Sequence, residues 1–204
     1  MTRYGFHVDL SSCVGCKACQ IACKDKNDLP VDILWRRGID VSGGDWVKLG
    51  NTWIDNTFNY FVSVACMHCE KPICMEVCPT RAITQRNDGI VLIDANICIG
   101  CRYCEWACPY GAPQFDHATK IMGKCNLCYD NLDAGLPPAC VSACQLRVIH
   151  FGDIDELREE YGSLDNVFPL PGSGLTHPAV TFTPHRDTVL DDNMAAEIGN
   201  QEEI

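Results

Sequence analysis

The sequence has no run of 18 apolar residues, so no segment of it can form a helix that crosses a bilayer. Its opening, Met1-Thr-Arg-Tyr-Gly-Phe-His-Val-Asp9, has no apolar core of signal-peptide length. The chain is therefore expected either in the cytoplasm or exported with a partner that carries the signal. Positive charge is scarce: 16 Lys and Arg face 27 Asp and Glu, a formal net charge of −11. A nucleic-acid role, which needs a basic face, is excluded on that ground. Also missing are a Ser-His-Asp arrangement, a phosphate-binding glycine loop and paired carboxylates in a cleft-like context. No catalytic residues are assigned.

Cysteine, by contrast, is abundant. Sixteen of the 204 residues are cysteine, a length that suits one or two compact domains. The central run is Cys98-Ile-Gly-Cys101-Arg-Tyr-Cys104-Glu-Trp-Ala-Cys108-Pro109, with spacing C-x2-C-x2-C-x3-C-P. That is the run of bacterial ferredoxins, in which three thiolates bind one iron–sulfur cubane and the fourth serves a second cluster. Disulfides fit C-x2-C repeats poorly, because such repeats suit a shared metal centre better than a bridge between distant segments. Structural zinc needs only two pairs of ligands, whereas these thiols come as three plus one, four times over. The runs are Cys13, Cys16, Cys19, Cys23; Cys66, Cys69, Cys74, Cys78; Cys98 to Cys108; and Cys125, Cys128, Cys140, Cys144.

Between the runs the pattern predicts an α+β chain. Tyr4, Phe6 and Val8 alternate with Gly5, His7 and Asp9 as a half-buried strand, and Phe58–Val64 alternates likewise. Asn87-Asp88-Gly89 turns a hairpin from Arg81–Ile83 to Ile90–Ile93. The cysteine-free stretch after Cys23 carries Gly43-Gly44-Asp45 and Trp35, Trp46 and Trp53, expected to pack on the cluster-bearing body or a neighbouring subunit. The chain is expected to be loop-like from Pro113 to Ile121, and the eleven residues between Cys128 and Cys140 to loop out. Val148–Phe151 is expected as the last strand, and Asp153 with Glu156 as the N-cap and reciprocal partner of a helix ending near Gly162. Beyond Phe168, recurring prolines predict an extended tail lying across a surface.

An internal repeat bears on how the runs pair. Two runs share the lead-in Asp-x-x-x-Cys, at Asp9–Cys13 and Asp94–Cys98. The other two share a lead-out, Cys78-Pro-Thr-Arg81-Ala-Ile83 and Cys144-Gln-Leu-Arg147-Val-Ile149. Each ferredoxin unit takes one of each kind. The expected architecture is two ferredoxin-like two-cluster units, one inserted in the other, with long loops and an extended C-terminal tail. The outer unit spans 1–30 plus 117–152, the tryptophan insert 31–57, the inner unit 58–116, and a helix and partner-binding tail 153–204. Sequential pairing, first run with second and third with fourth, is the alternative. Applied to the nested pairing, the crossing rule of two-cluster ferredoxins gives Cys13, Cys16, Cys19 with Cys144 (cluster a) and Cys125, Cys128, Cys140 with Cys23 (cluster b). It also gives Cys66, Cys69, Cys74 with Cys108 (cluster c) and Cys98, Cys101, Cys104 with Cys78 (cluster d). No thiol is left over. Gly15 and Gly100 allow close backbone approach, and Pro79 and Pro109 fix the chain past a crossing cysteine, where Lys24 and Gln145 stand in the other two runs. Lys17 and Arg102 occupy equivalent sites, as solvated charges or as cations that raise a local potential. Four clusters in so small a chain read as a conducting line, with any substrate oxidised or reduced on a partner.

Together with Gly43-Gly-Asp-Trp46, Cys108-Pro-Tyr-Gly-Ala-Pro-Gln114, Asp155-Glu-Leu-Arg158 and Pro169-Leu-Pro171, these runs make the chain resemble the iron–sulfur subunits of dimethyl sulfoxide reductases. The resemblance spans essentially the whole chain. Its cysteine runs are shared with subunits of thiosulfate, polysulfide and nitrite reductases and formate dehydrogenases. It implies four [4Fe–4S] clusters, a catalytic subunit holding molybdenum on a bis-pterin guanine dinucleotide, and a membrane anchor subunit that oxidises quinol. It further implies a peripheral position on the membrane through those partners, on the extracytoplasmic face by co-export with the catalytic subunit or on the cytoplasmic face. In nitrate-reductase-type relatives a tryptophan at the second cysteine of the third run leaves a three-iron cluster; Cys101 here favours four irons throughout. Gln145, where the family tends to have proline, and the acidic stretch after Pro184 are departures.

Overall fold

The computed structural model describes residues 2–188 and 196–203, so part of the expected tail lies outside the described residues. In chain order the elements are β1 (Tyr4–Asp9), α1 (Ala18–Lys26), β2 (Arg37–Gly43), β3 (Trp46–Leu49), β4 (Thr52–Asp55) and β5 (Phe58–Val64). They continue with α2 (Ile73–Glu76), β6 (Ile83–Gln85), β7 (Val91–Ile93), α3 (Tyr103–Ala107), β8 (Gln114–Phe115) and β9 (Met122–Gly123). The remainder is α4 (Tyr129–Asp133), α5 (Ala139–Ser142), β10 (Ile149–Asp153), α6 (Ile154–Tyr161), β11 (Val180–Thr183) and β12 (Ala196–Ile198). The fold is α+β, with small sheets separated by short helices.

One three-stranded sheet has the order β10-β1-β11. β1 runs antiparallel to β10, Tyr4 opposite Asp153 and Val8 opposite Ile149, so the strand after the fourth run lies beside the strand before the first. On its other edge β1 runs parallel to β11, with Val8 opposite Phe182. As a central strand covered by α6, β1 is buried on both faces rather than half-buried: His7 is 1 % exposed and its ring stacks on Tyr161 at 4.0 Å. β11 follows the strand expected to be last. Its neighbours Pro178 and Pro184 end a segment in which Val180, Thr181 and Phe182 are all buried, so this part of the tail completes the sheet instead of lying across a surface. Asp153 caps α6, its Oδ1 accepting from the Asp155 N–H at 2.9 Å, and the helix stops at Gly162 as expected.

A second sheet, β12-β2-β5, crosses the expected boundary between insert and inner unit. β2 pairs with β5 antiparallel from Arg37 opposite Val64 to Gly43 opposite Phe58. Ile39 and Val41 point into the core while Asp40 and Ser42 do not, an alternation hidden in the stretch treated as a single insert. Only the β3–β4 hairpin stands away from the body: all eight of its strand residues are exposed, including Trp46 and Trp53. Trp35 does pack on the body, its ring against Gly123. β6 and β7 form the expected hairpin. The short β8–β9 pair and α4 replace expected loops, at Gln114–Phe115 and in the first half of the excursion after Cys128. The main core joins both sheets through Val8, Leu10, Ile39, Val41, Tyr60, Val62, Ile90, Leu127 and Phe182.

Candidate metal centres

The cysteines sit where short helices begin or end. Gly15 at φ +65° and Lys17 at +58° turn the first run into α1, and Gly100 and Arg102, both at +65°, repeat the same left-handed steps before α3. A β-carbon at Gly100 would lie 2.1 Å from the Lys120 carbonyl oxygen, so the close approach needs glycine. Cys74 and Cys140 lie in the single turns α2 and α5, each following a proline whose missing N–H costs nothing at a helix start.

Three hollows are each lined by four thiols. Cys13, Cys16, Cys19 and Cys144 surround one, with Gly15, Phe61 and Val148 in its wall. Cys66, Cys69, Cys74 and Cys108 surround a second. Cys78, Cys98, Cys101 and Cys104 surround a third. In the fourth set Cys23 and Cys140 are electrostatic neighbours of each other and of both Cys125 and Cys128. We call these sites a, c, d and b. No group of three or more His, Cys, Asp or Glu among the described residues converges closely enough to hold a single metal ion. Thiols facing one another across a hollow suit a polynuclear group whose own atoms fill the middle, and the soft donor set suits iron–sulfur chemistry.

The walls supply hydrogen-bond donors to the sulfurs, as tuned clusters require. Backbone N–H groups of Met122, Leu127 and Val148 each donate at 3.4 Å to Cys98, Cys125 and Cys144 Sγ. Ser63 Oγ lies 3.3 Å from Cys19 Sγ. Burial pushes the thiols of Cys23, Cys69 and Cys74 up to about 12 and that of Cys104 to about 11. Burial also raises Cys125, helped by the neighbouring thiols Cys23 and Cys66. Metal-free, these groups are neutral, so iron must displace their protons. Cys78 alone moves down: against its slight burial, hydrogen bonds from Thr80 and the N–H groups of Ile83 and Ala82 prevail.

The four sites form a row. Sites a and b meet where α1, bearing Cys19 and Cys23, packs on α5, bearing Cys140. Sites b and c meet through Cys125 and Cys66, packed with Ala65 and Ala112. Sites c and d meet through Cys74 and Cys104, packed with Ile83, Val91 and Met122. Exposed apolar residues rim both ends: Val14 and Leu146 beside site a, and Ile97, Ile99, Tyr103 and Trp106 beside site d.

Two buried cations among these sites had no signal in the sequence. Arg36 and Lys124 are 2 % and 3 % exposed. Lys124 Nζ donates to the carbonyls of Val91 and Cys125. Arg102, by contrast, lies at the surface with its charge paired to Glu105 at 2.7 Å. His68, between two ligand positions, accepts the Val91 N–H on Nδ1 at 3.0 Å.

Four sets of four thiols on tight turns and single-turn helices define a ferredoxin-like iron–sulfur protein with more than one cluster. Comparison with known proteins agrees: residues 57–154 match the 4Fe-4S dicluster domain family. The protein is 44 % identical over 203 residues to the B subunit of anaerobic dimethyl sulfoxide reductase of Escherichia coli (strain K12), covering 100 % of this sequence and 99 % of that one. It is 42 % identical over 205 residues to the corresponding B subunit of Haemophilus influenzae, with all of both covered. Over 155 residues it is 40 % identical to the B subunit of polysulfide reductase of Wolinella succinogenes, covering 76 % and 78 %. The protein belongs to the family of anaerobic dimethyl sulfoxide reductase B subunits. It is an electron-transfer subunit of a multi-chain oxidoreductase, carrying [4Fe–4S] clusters and no catalytic site of its own.

Proposed function

We propose that sites a, b, c and d each hold one [4Fe–4S] cluster, and that the chain relays electrons between a quinol-oxidising membrane anchor and a molybdenum catalytic subunit. Each cluster, when bound, accepts and releases one electron. The catalytic partner carries molybdenum on a bis-pterin guanine dinucleotide and reduces a sulfoxide or N-oxide. Cys144 completes the site of the first run and Cys23 that of the fourth, while Cys108 and Cys78 are exchanged between the second and third runs. Outer and inner units are thereby nested, and no thiol is spare.

The observation that carries this reading is the row of four sites with apolar rims at its two ends. The chain's own part is to hold sixteen thiolates at fixed places, to bury half of them away from water, and to offer N–H donors to their sulfurs. Buried sulfurs such as those of Cys125 and Cys140 in the middle of the row keep the inner sites away from solvent oxidants. Cys16 is exposed and Ile99 lines site d, so the terminal sites reach the surface where a partner can dock. None of the described helices is long and apolar enough to cross a membrane, so attachment there falls to the anchor. The complex stands on the extracytoplasmic face, exported with the catalytic subunit.

The test is to tag this chain in its native host and analyse what purifies with it. A complex containing molybdenum, pterin and a membrane subunit, reduced by quinol analogues, is the expected result. A stable chain that purifies alone, loaded with iron and without molybdenum, would make it a free-standing polyferredoxin and overturn the proposal.

A further inference from the structure

Among the described residues, Arg36 is a buried charge without a carboxylate partner. It precedes β2, and its guanidinium lies 4.6 Å over the Phe6 ring. Nη1 donates to Ser63 Oγ at 3.1 Å, and the same hydroxyl is 3.3 Å from Cys19 Sγ. Nε has no hydrogen-bond partner among the described residues. The groups that act on it when ionised are the thiols Cys140, Cys19, Cys125 and Cys23, one from site a and three from site b. Burying a cation with nothing to answer it is costly, and buried charges survive in proteins when they are paired. With protonated thiols around it, Arg36 would be unanswered; with metal-bound thiolates, it is paired on both sides. Its charge therefore belongs to the loaded state.

We propose that Arg36 is a potential-setting residue: its charge, held between sites a and b, keeps the reduction potentials of the clusters there above those their thiolates alone would set. Reduction adds one negative charge to a cluster, and a fixed cation in a low-dielectric interior favours that charge more strongly than a solvated one would. The effect is local. Lys124 lines site c and bears on Cys74 and Cys108, so site c has its own cation. Arg102 is no substitute, being exposed and neutralised by Glu105. This inference rests on the reading that sites a and b hold [4Fe–4S] clusters.

The experiment is a redox titration of the intact complex, followed by electron paramagnetic resonance, with iron and labile sulfide counted for each variant. In Arg36→Gln, which removes the charge and keeps a polar side chain, we expect full iron, two of the four midpoints lowered and the other two unmoved. In Arg36→Lys, which keeps the charge, all four should stay near the native values. Full iron in Arg36→Gln with all four midpoints unmoved, or all four lowered alike, would overturn the proposal. If Arg36→Gln fails to load iron, Arg36→Lys decides. Full loading with native midpoints supports a role for charge, and lowered midpoints or failure to load would refute it. A native complex without four titrating clusters would instead overturn the preceding reading and leave the buried charge to be explained separately.

Discussion

Replacing Gly100 by alanine tests the geometry of the third run against that of the first. Gly100 and Gly15 share φ +65°, so an alanine at either pays the same left-handed penalty, roughly 1–2 kcal/mol. The neighbours differ. At Gly100 the new β-carbon would lie 2.1 Å from the backbone oxygen of Lys120, which must retreat by about 0.9 Å to reach the closest approach that β-carbons show. Lys120 is held by its own N–H to Asp116 O at 2.8 Å, so moving it disturbs the turn that delivers Met122 N–H to Cys98 Sγ. At Gly15 the atoms met are Phe61 Cδ1, Cε1 and Cγ at 2.3–2.6 Å, all of one partly exposed side chain that can swing aside without moving backbone. Backbone displacement of this kind costs roughly 1–3 kcal/mol beyond the shared penalty, the usual range for overpacking. Gly100→Ala should therefore lose the site-d signal about ten-fold faster than Gly15→Ala loses the site-a signal when both complexes meet an iron chelator. Equal rates of loss, or faster loss in Gly15→Ala, would refute the steric argument.

The crossing of ligands predicts opposite losses from two single changes. Cys144→Ser should remove the cluster of the first run and leave that of the fourth, and Cys23→Ser should do the reverse, as read by the spectra of the reduced complex. His7 makes an acid-sensitive joint between β1 and α6. Burial lowers it to about 4 from an ordinary 6.5, with His150 adding to the shift and Asp9 and Glu160 opposing it. Its neutral form is the folded one, so this contribution is present above pH 6.5 and is lost as pH falls toward 4. Between pH 7 and pH 5 the loss is about 2 kcal/mol. The melting temperature of the native chain should fall by roughly 4–8 °C more than that of His7→Gln over that interval. Trp46→Ala with Trp53→Ala should leave the cluster content and melting temperature unchanged, because both rings are more than half exposed. If the hairpin grips a neighbouring subunit, the pair should cost about 2 kcal/mol or more of complex affinity, measured by recovery of the partners after dilution.

What could be read in the sequence was what depends on close neighbours in the chain. The ligand spacing of Cys98 to Cys108 is set by one loop wrapping one group, and the strand Phe58–Val64 and the cap at Asp153 each follow from a few consecutive side chains. The misreadings fall where distant segments meet. Val180–Phe182 looked like a proline-broken tail, and only the edge of β1 makes it a strand. Ile39 and Val41 lay inside what passed for an insert until β5 paired with them. The cations tell the same story. Lys17 and Arg102 drew attention by their place in the runs, yet the buried charges are Arg36, held between Phe6 of β1 and Ser63 of β5, and Lys124, held by the carbonyls of Val91 and Cys125. Nothing in Trp35-Arg36-Arg37 distinguishes the arginine that goes inside, near the thiols, from the one whose Nη2 donates to the Tyr110 carbonyl at 2.6 Å.

The central claim is that sixteen thiols hold four iron–sulfur cubanes, and metal analysis tests it most directly. Protein purified without oxygen should contain about sixteen irons and about sixteen labile sulfides per chain, with no stoichiometric zinc, and four distinct signals on stepwise reduction. A colourless preparation with zinc in place of iron, and no labile sulfide, would contradict the account at its root.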